Sequence, residues 1–206
     1  MSPSNGLFDA PQDTRGEIMR ATYFALCEYG YADLTIQRIS EEFPKSKSLI
    51  YHHYAGKDEL LLDFLQFVVD RFEETVPFED ADGADAHLRS ILDHVLATPL
   101  PEQRHQFAKA MVELRAQAAH DERYREYFTR HDRFFRDRIA SIIDSGIEEG
   151  VFRDVDPSEA ATFLVTSING SMTERVTSNR DSAGTVRDQV NAYVRTVLAK
   201  PPENHL

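Results

Sequence analysis

The fold is decided by residues 14–62, which read TRGEIMRATYFALCEYGYADLTIQRISEEFPKSKSLIYHHYAGKDELLL. Apolar residues recur there every three or four positions, which predicts several short amphipathic helices in succession. From Pro44 to Lys57 the stretch contains three lysines and no aspartate or glutamate, whereas the whole chain of 206 residues has a formal net charge of -12. A local basic segment on an acidic protein indicates contact with nucleic-acid phosphate.

Two helices are predicted at the start of this stretch. Thr14 and Glu17 match a capping box, in which the two side chains satisfy backbone N–H groups, so a helix is expected to begin at Thr14. Gly30 is expected to end that helix, since glycine readily adopts a positive φ. Thr35 is expected to cap a second helix, and Pro44 to end it because proline disfavours a helical residue before it.

A third and a fourth helix follow. Ser46 is expected to cap the third helix, with Leu49, Ile50 and Tyr54 able to face inward. The fourth helix is predicted over residues 57–76, where leucine, phenylalanine and valine form one apolar stripe. The apolar faces of these helices can pack together in a small shared core, as a helical DNA-binding domain requires.

The rest of the chain is also read as helical. Residues 77–85 (PFEDADGAD) form a predicted linker, and strand signals are nearly absent. Further helices are predicted at 85–97, 102–119, 121–149, 157–177 and 184–199. The expected fold class is therefore all-α, with about nine helices.

The first residues of the third predicted helix are the main candidates for contact with DNA. A helix-turn-helix motif places its second helix in the major groove of DNA, with the first residues of that helix aimed at base edges. Ser46, Lys47 and Ser48 supply such a polar edge, and the exposed N–H groups of a helix start favour a phosphate oxygen.

Other residues extend that edge. Leu49 and Tyr51 can touch a thymine methyl group, and His52 can offer a hydrogen bond to a base or a phosphate. Lys57 opens the fourth helix, where it is placed to contact a backbone phosphate. By themselves, three amphipathic helices with a proline break are common in helical proteins and say nothing about DNA.

The spacing of Thr35, residues 39–46 (ISEEFPKS) and residues 51–57 (YHHYAGK) resembles the DNA-binding head of TetR-type transcriptional regulators. That family pattern has a threonine-capped helix, an Ile-Ala-x-x-Ala-Gly-Val-Ser turn and then Tyr-x-His-Phe-x-x-Lys. Residues 150–157, 159–161 and 169–170 resemble the lead-in and body of the penultimate helix of the family more loosely. The resemblance adds Thr35 and His53 to the candidate DNA contacts, and Lys45 is a candidate because of its own charge. The full set is Thr35, Lys45, Ser46, Lys47, Ser48, Leu49, Tyr51, His52, His53 and Lys57.

The turn departs from the family pattern. Phe43, Pro44 and Lys45 stand where the family carries Ala-Gly-Val. Glycine can adopt a positive φ, whereas proline is fixed at a negative one, so we expect another backbone path and a changed angle of the third helix. Lys45 is expected to add one positive charge near the DNA backbone.

Aromatic residues recur on the helical faces of the larger half. The resemblance implies that this region encloses an inducer, and an apolar or amphipathic small molecule would suit such a lining. The alternative is that these residues are ordinary core. Polar candidates that could orient a ligand include His105, Glu113 and Arg115. The candidate ligand-binding residues are Phe64, Phe67, Phe72, Phe107, Met111, Tyr127, Phe128, His131, Phe135 and Asn169.

The last two predicted helices, 157–177 and 184–199, are more apolar than a surface helix requires. The resemblance implies that they pair with those of a second subunit in a four-helix bundle. The alternative is that both pack only on the helix at 121–149.

Other classes of function are disfavoured. The single cysteine, Cys27, excludes an internal disulfide and is expected to be inert core, which is compatible with a cytoplasmic location. The eight histidines form no metal-ligand pattern. No phosphate-binding glycine loop or nucleophile with a base is recognisable, and no long apolar stretch predicts a membrane span. We expect no enzyme activity, no metal and no cofactor.

The sequence therefore predicts a homodimeric, ligand-responsive transcriptional repressor that binds a double-stranded DNA operator. The alternative is a helical small-molecule-binding or interaction protein that has lost specific DNA readout. The predicted organisation is a flexible arm over 1–13, a helix-turn-helix domain over 14–56, a ligand-binding and dimerisation domain over 57–200, and a tail over 201–206.

Overall fold

The computed structural model describes residue 11 and residues 13–75, 83–97, 99–179 and 182–200, with only the backbone described at 72–75 and 103. Almost all of the predicted arm, most of the linker and the whole predicted tail lie outside these residues. Within them the chain forms nine α-helices and one π-helical turn, so the all-α prediction is confirmed. The helices are α1 Thr14–Asp33, α2 Ile36–Glu42, α3 Lys47–His53, α4 Lys57–Thr75, α5 Ala84–Val95, α6 Glu102–Gln117, α7 Glu122–Glu148, α8 Pro157–Thr177 and α9 Ala183–Tyr193.

The predicted capping box at the start of α1 is wrong by one residue. Asp13, in an extended conformation, caps the helix, and its carboxylate accepts a 2.7 Å hydrogen bond from the N–H of Gly16. A carboxylate at this position also interacts favourably with the helix dipole. Thr14 is therefore the first helical residue, and Glu17 is released to form an ion pair with Lys45.

Gly30 marks a break in α1, as predicted. Its φ of 69° is positive, and one further turn of helix follows as far as Asp33. Thr35 caps α2 as predicted, with its hydroxyl accepting a 3.2 Å hydrogen bond from the N–H of Arg38. Ser46 precedes α3, but its hydroxyl lies 2.9 Å from that of Ser48 instead of capping the helix.

The first compact unit comprises α1 to α4, α6 and the beginning of α7 through Thr129. Ile18, Leu26, Ile39 and Ile50 are almost fully buried in its core, where α1 packs against α2, α4 and α6. Helices α4 and α6 thus belong to the same compact unit as α1, α2 and α3. The proposed functional boundary between residues 56 and 57 stays a prediction.

The second unit comprises α5, the rest of α7, α8, α9 and the π-helical turn Val194–Leu198. The sequence predicts that the last helix continues through residue 199, but regular α-helix ends at Tyr193. An isolated antiparallel bridge joins Phe152 to Ala199. Phe152 is fully buried in the core of this unit.

Candidate DNA-binding surface

Helix α3 presents one face to the core and the other to solvent. Ile50 is 0% exposed and Tyr54 is 7% exposed, so both anchor the helix as predicted. On the opposite face Ser48, Tyr51 and His52 are exposed, and Tyr51 retains 53% of its accessible surface. An exposed large aromatic side chain on a short polar helix is available for contact with a partner.

The ten predicted DNA contacts fall into two groups. The exposed group is Thr35, Lys45, Ser46, Ser48, Tyr51, His52 and His53. The half-buried group is Lys47, Leu49 and Lys57, and Leu49 packs against the core of the unit. None of the ten is buried, so each side chain keeps some accessible surface. Their roles in DNA binding remain predictions.

Lys47 is held in place by neighbours on both helices of the motif. Its ammonium group donates a 2.8 Å hydrogen bond to the side-chain oxygen of Gln37 on α2. The same group lies 5.6 Å from the centre of the Tyr51 ring. Gln37 is not among the predicted site residues. In the sequence Gln37 is marked only by its place on α2, one helical turn before Glu41. Its amide group donates a 3.3 Å hydrogen bond to the Glu41 carboxylate.

Lys45 is directed toward α1. Its ammonium group forms an ion pair with Glu17 and donates a 3.1 Å hydrogen bond to the hydroxyl of Thr14. The backbone is extended at both ends of the turn, at Phe43 (φ −94°, ψ 125°) and at Ser46 (φ −72°, ψ 143°). The lysine after the proline therefore ties the turn to α1 in the free protein.

Lys57 opens α4 as predicted and lies beside Tyr31. Its ammonium group is 4.6 Å from the centre of the Tyr31 ring and 3.5 Å from the Tyr31 carbonyl oxygen. A cation over an aromatic face is attracted by the negative potential of that face. The lysine is half-exposed, so this contact orients it without covering it.

Asp63 on α4 joins α1 to the end of α3. Arg15 donates two hydrogen bonds to its carboxylate, at 2.9 and 2.6 Å, and the hydroxyl of Tyr54 donates a third at 2.6 Å. Burial acts to raise the pKa of Asp63, but the bonds from Arg15 and Tyr54 outweigh it and the pKa is lowered. Burial and the neighbouring carboxylate raise the pKa of Tyr54. The tyrosine thus locks α3 to α4 with its hydroxyl as well as its ring.

The predicted ligand-binding residues are divided between the two units. In the first unit Phe64, Tyr127 and Phe128 are buried in the core, where Phe67, Phe107 and Met111 are partly buried against it. His131, Phe135 and Asn169 belong to the second unit, and the side chain of Phe72 lies outside the described residues. Their ligand-binding role remains a prediction.

Some of these residues and of the polar candidates already have contacts within their unit. The hydroxyl of Tyr127 donates a 2.6 Å hydrogen bond to the Leu65 carbonyl. The guanidinium of Arg115 lies 4.5 Å from the centre of the Phe128 ring, and the carboxylate of Glu113 accepts a hydrogen bond from the N–H of Tyr31. Each of these contacts lies within the first unit.

A concave surface is found on α8. A groove of about 550 Å³ is lined by Ser158, Glu159, Thr162, Phe163, Thr166 and Ser167, none of which is a site residue predicted from the sequence. Among the described residues no group of three or more His, Cys, Asp or Glu side chains is arranged to hold a metal ion. In that same part of the chain no helix is both long and apolar enough to cross a membrane.

Two family models match this chain. Residues 18–64 match the bacterial regulatory proteins of the tetR family, and residues 84–199, more than half of the chain, match the C-terminal domain of BetI-type transcriptional repressors. The chain belongs to the TetR family. It is a DNA-binding transcriptional regulator and not an enzyme, and the alternative of a protein that lost DNA readout is not favoured.

Similar proteins support this assignment along most of the chain. The HTH-type transcriptional repressor AcnR of Corynebacterium diphtheriae is 26% identical over 184 residues, which are 88% of this chain and 92% of the relative. A TetR transcription regulator from Haloarcula marismortui has 35% identity and a TM-score of 0.82, covering 91% of this chain and 100% of the other. A transcriptional regulator from Saccharomonospora viridis, solved in complex with choline, shares the fold, with a TM-score of 0.78 at 22% identity and coverage of 91% and 98%.

Proposed function

We propose that this TetR-family regulator is a homodimeric repressor that places α3 of each subunit in successive major grooves of a roughly palindromic operator. The observation that carries the proposal is the outer face of α3, where Ser48, Tyr51 and His52 are exposed beside lysines and without any acid from Pro44 to Lys57. On a chain with a net charge of -12, a stretch that has lysines and no acids repels DNA phosphate less than the chain as a whole does.

The exposed residues divide by the part of DNA they would reach. Ser48, Tyr51 and His52 lie on the outer face of α3 and are the candidates for base contacts. Lys47, held by Gln37, and Lys57, beside Tyr31, are candidates for phosphate contacts that fix the orientation of the head. Phosphate contacts would supply most of the affinity, and base contacts the sequence preference.

The outer face of α8 supports dimerisation through the last two helices. From Ala160 to Thr173 the sequence has no charged residue, although 28% of the whole chain is charged. Phe163 is 47% exposed on this face, and its ring centre lies 4.6 Å from that of Tyr193 on α9. An uncharged helical stretch whose exposed phenylalanine lies beside a half-buried tyrosine is suited to burial against an identical copy.

The effector proposed for this repressor is a small apolar or amphipathic molecule. Aromatic side chains of α4, α6 and α7 could line a binding site for such a molecule. The match of residues 84–199 to BetI-type repressors also supports this proposal. Such a compound would release DNA only if it binds the DNA-free arrangement more tightly than the DNA-bound one.

Footprinting on the DNA upstream of its own gene tests operator binding. We expect a protected segment with two-fold symmetry, whose half-site centres are separated by about 34–36 Å or a multiple of that distance. Protection of a single half-site, or protection without symmetry, would contradict the proposal. The same footprint is then repeated with candidate effectors, which are choline as a cationic compound and several neutral apolar compounds. We expect the footprint to disappear only with a compound that also binds the free protein.

A further inference from the structure

The carboxylate of Glu113 on α6 contacts the end of α1, which belongs to the proposed DNA-binding domain (residues 14–56). It accepts a 2.6 Å hydrogen bond from the backbone N–H of Tyr31, which is 82 residues earlier in the chain. Tyr31 follows the break at Gly30, so its N–H is not part of an unbroken helical ladder. A hydrogen bond from a backbone N–H to a carboxylate is charge-assisted and stronger than one between neutral groups.

Gly30 makes this approach possible. Its φ is positive at 69°, and a Cβ atom added there would lie 3.1 Å from the nearer carboxylate oxygen of Glu113. A side chain at this position would be strained by the backbone conformation and would also crowd the carboxylate. The glycine break and the glutamate on α6 therefore form one arrangement, although they are far apart in the sequence.

Tyr31 also contacts the first residue of α4. The ammonium group of Lys57 lies over its ring at 4.6 Å and is 3.5 Å from its carbonyl oxygen. Glu113 thus fixes the backbone of Tyr31 on one side, and Tyr31 orients Lys57 on the other. The chain of contacts runs from α6 through the end of α1 to a proposed phosphate contact.

We propose that Glu113 is a positioning residue for DNA binding, which fixes Tyr31 and through it the ammonium group of Lys57. The inference rests on the proposed function, in which Lys57 contacts a phosphate of the operator. It assigns to Glu113 a role different from the ligand-orienting one that the sequence suggests. If Tyr31 is released, Lys57 loses the partner that holds its flexible side chain, and ordering that side chain on DNA then costs conformational entropy.

The test compares operator affinity among full-length variants by fluorescence anisotropy from about 50 to 200 mM KCl. We expect Glu113→Ala to weaken binding roughly threefold to tenfold and to reduce the salt slope toward that of Lys57→Ala, by up to about 0.9 for each phosphate that is no longer neutralised. Glu113→Gln keeps an acceptor oxygen and should recover most of the affinity. Combining Glu113→Ala with Lys57→Ala should weaken binding no further than Lys57→Ala alone.

Two further variants separate the effect of position from the effects of charge and folding. Glu126→Ala removes an equal charge from an exposed position of α7 and should leave both affinity and salt slope unchanged. Tyr31→Leu removes the ring but keeps the N–H bonded to Glu113, so it should lower the slope toward that of Lys57→Ala even if Glu113→Ala folds poorly. Circular dichroism establishes the folded fraction of each variant.

The outcomes separate the inference from the proposed function. A lower melting temperature of Glu113→Ala with wild-type affinity and salt slope would overturn the inference and leave only a structural role. Additive losses in the double variant, or no effect of Lys57→Ala, would overturn it as well. Failure of the wild-type protein to bind any upstream operator would instead overturn the proposed function, and the inference with it.

Discussion

The side-chain oxygen of Gln37 on α2 accepts a 2.8 Å hydrogen bond from the ammonium group of Lys47 on α3. This bond joins the two sides of the turn between α2 and α3, so α2 contributes to the orientation of the first residue of α3. The Tyr51 ring lies 5.6 Å from the same ammonium group. A lysine oriented by two neighbours loses less conformational freedom on binding than an isolated one.

Replacing Lys47 by alanine should lower operator affinity about tenfold and reduce the magnitude of the salt slope, because each subunit then neutralises one phosphate fewer. Gln37→Ala should cause a smaller loss, since the lysine remains but is no longer oriented. In the Lys47→Ala background the same Gln37 change should have little further effect. Anisotropy titrations at several salt concentrations measure all three variants.

The matched control for this prediction is Lys109→Ala, which removes one positive charge from an exposed position of α6. Its operator affinity should remain close to that of the wild type. An equal loss for Lys109→Ala and Lys47→Ala would show that net charge alone, and not the position of Lys47, determines the effect.

Replacing Asp63 by asparagine should lower the free energy of unfolding by about 1 to 2 kcal/mol at about pH 7, because Arg15 and Tyr54 lose a charged partner that is partly exposed. The folded pKa of Asp63 lies below its ordinary value of 3.8. Its stabilising contribution is therefore complete above that value and is lost as the pH falls through the folded pKa. Urea unfolding at several pH values should show the difference between variant and wild type shrinking in acid.

Two variants accompany that measurement. Asp144→Asn changes an exposed carboxylate of α7 and should have little effect at either pH. Tyr54→Phe removes only the hydroxyl and should cost about 1 kcal/mol. A difference between Asp63→Asn and wild type that stays constant down to acid pH would contradict the role assigned to the ion pair.

Local patterns predicted much of the fold and the exposure of the candidate DNA-binding residues on α3. Thr35 caps α2 because its hydroxyl needs only an N–H three residues later. Ile50 and Tyr54 face inward because helical periodicity places them on the same side of α3. The exposure of Tyr51 and His52 follows from the same periodicity. These features depend on neighbours within one or two helical turns, which the sequence displays directly.

Features that depend on distant residues were not predictable in the same way. The pairing of Lys45 with Glu17 follows from the packing of the turn on α1, and the proposed contact of this lysine with DNA stays a prediction. The bond from Tyr31 to Glu113 needs the packing of α1 on α6. The π-helical turn after Tyr193 accompanies backbone bonds between residues 151–153 and 198–200, which no periodicity of one helix encodes.

Replacing Gly146 by alanine should destabilise the second unit by about 1 to 3 kcal/mol, because the core is overpacked. A Cβ atom at this position would lie 2.1 Å from a ring carbon of Phe152, which is fully buried and cannot move away. Urea unfolding measures the change. Gly184→Ala is the matched control, since a Cβ atom there meets nothing within 4 Å, and it should be neutral or slightly stabilising. Equal stability of the two variants would contradict the packing described for Phe152.

Replacing Phe163 by glutamate should convert the dimer to a monomer. The side chain is 47% exposed on α8, so the fold of the subunit should be retained, whereas a carboxylate buried without a partner in a subunit interface is strongly unfavourable. Analytical ultracentrifugation measures the association state, and circular dichroism verifies the helix content. Operator affinity should fall as well, because each head would then bind its half-site independently.

The control for this last prediction is Ser141→Glu, which introduces the same charge at an exposed position of another helix, α7. That variant should remain dimeric and bind the operator like the wild type. If Phe163→Glu were also dimeric, the subunits would have to associate through another surface. The half-site spacing would then be set by that surface, and the uncharged segment from Ala160 to Thr173 would have no role in dimerisation.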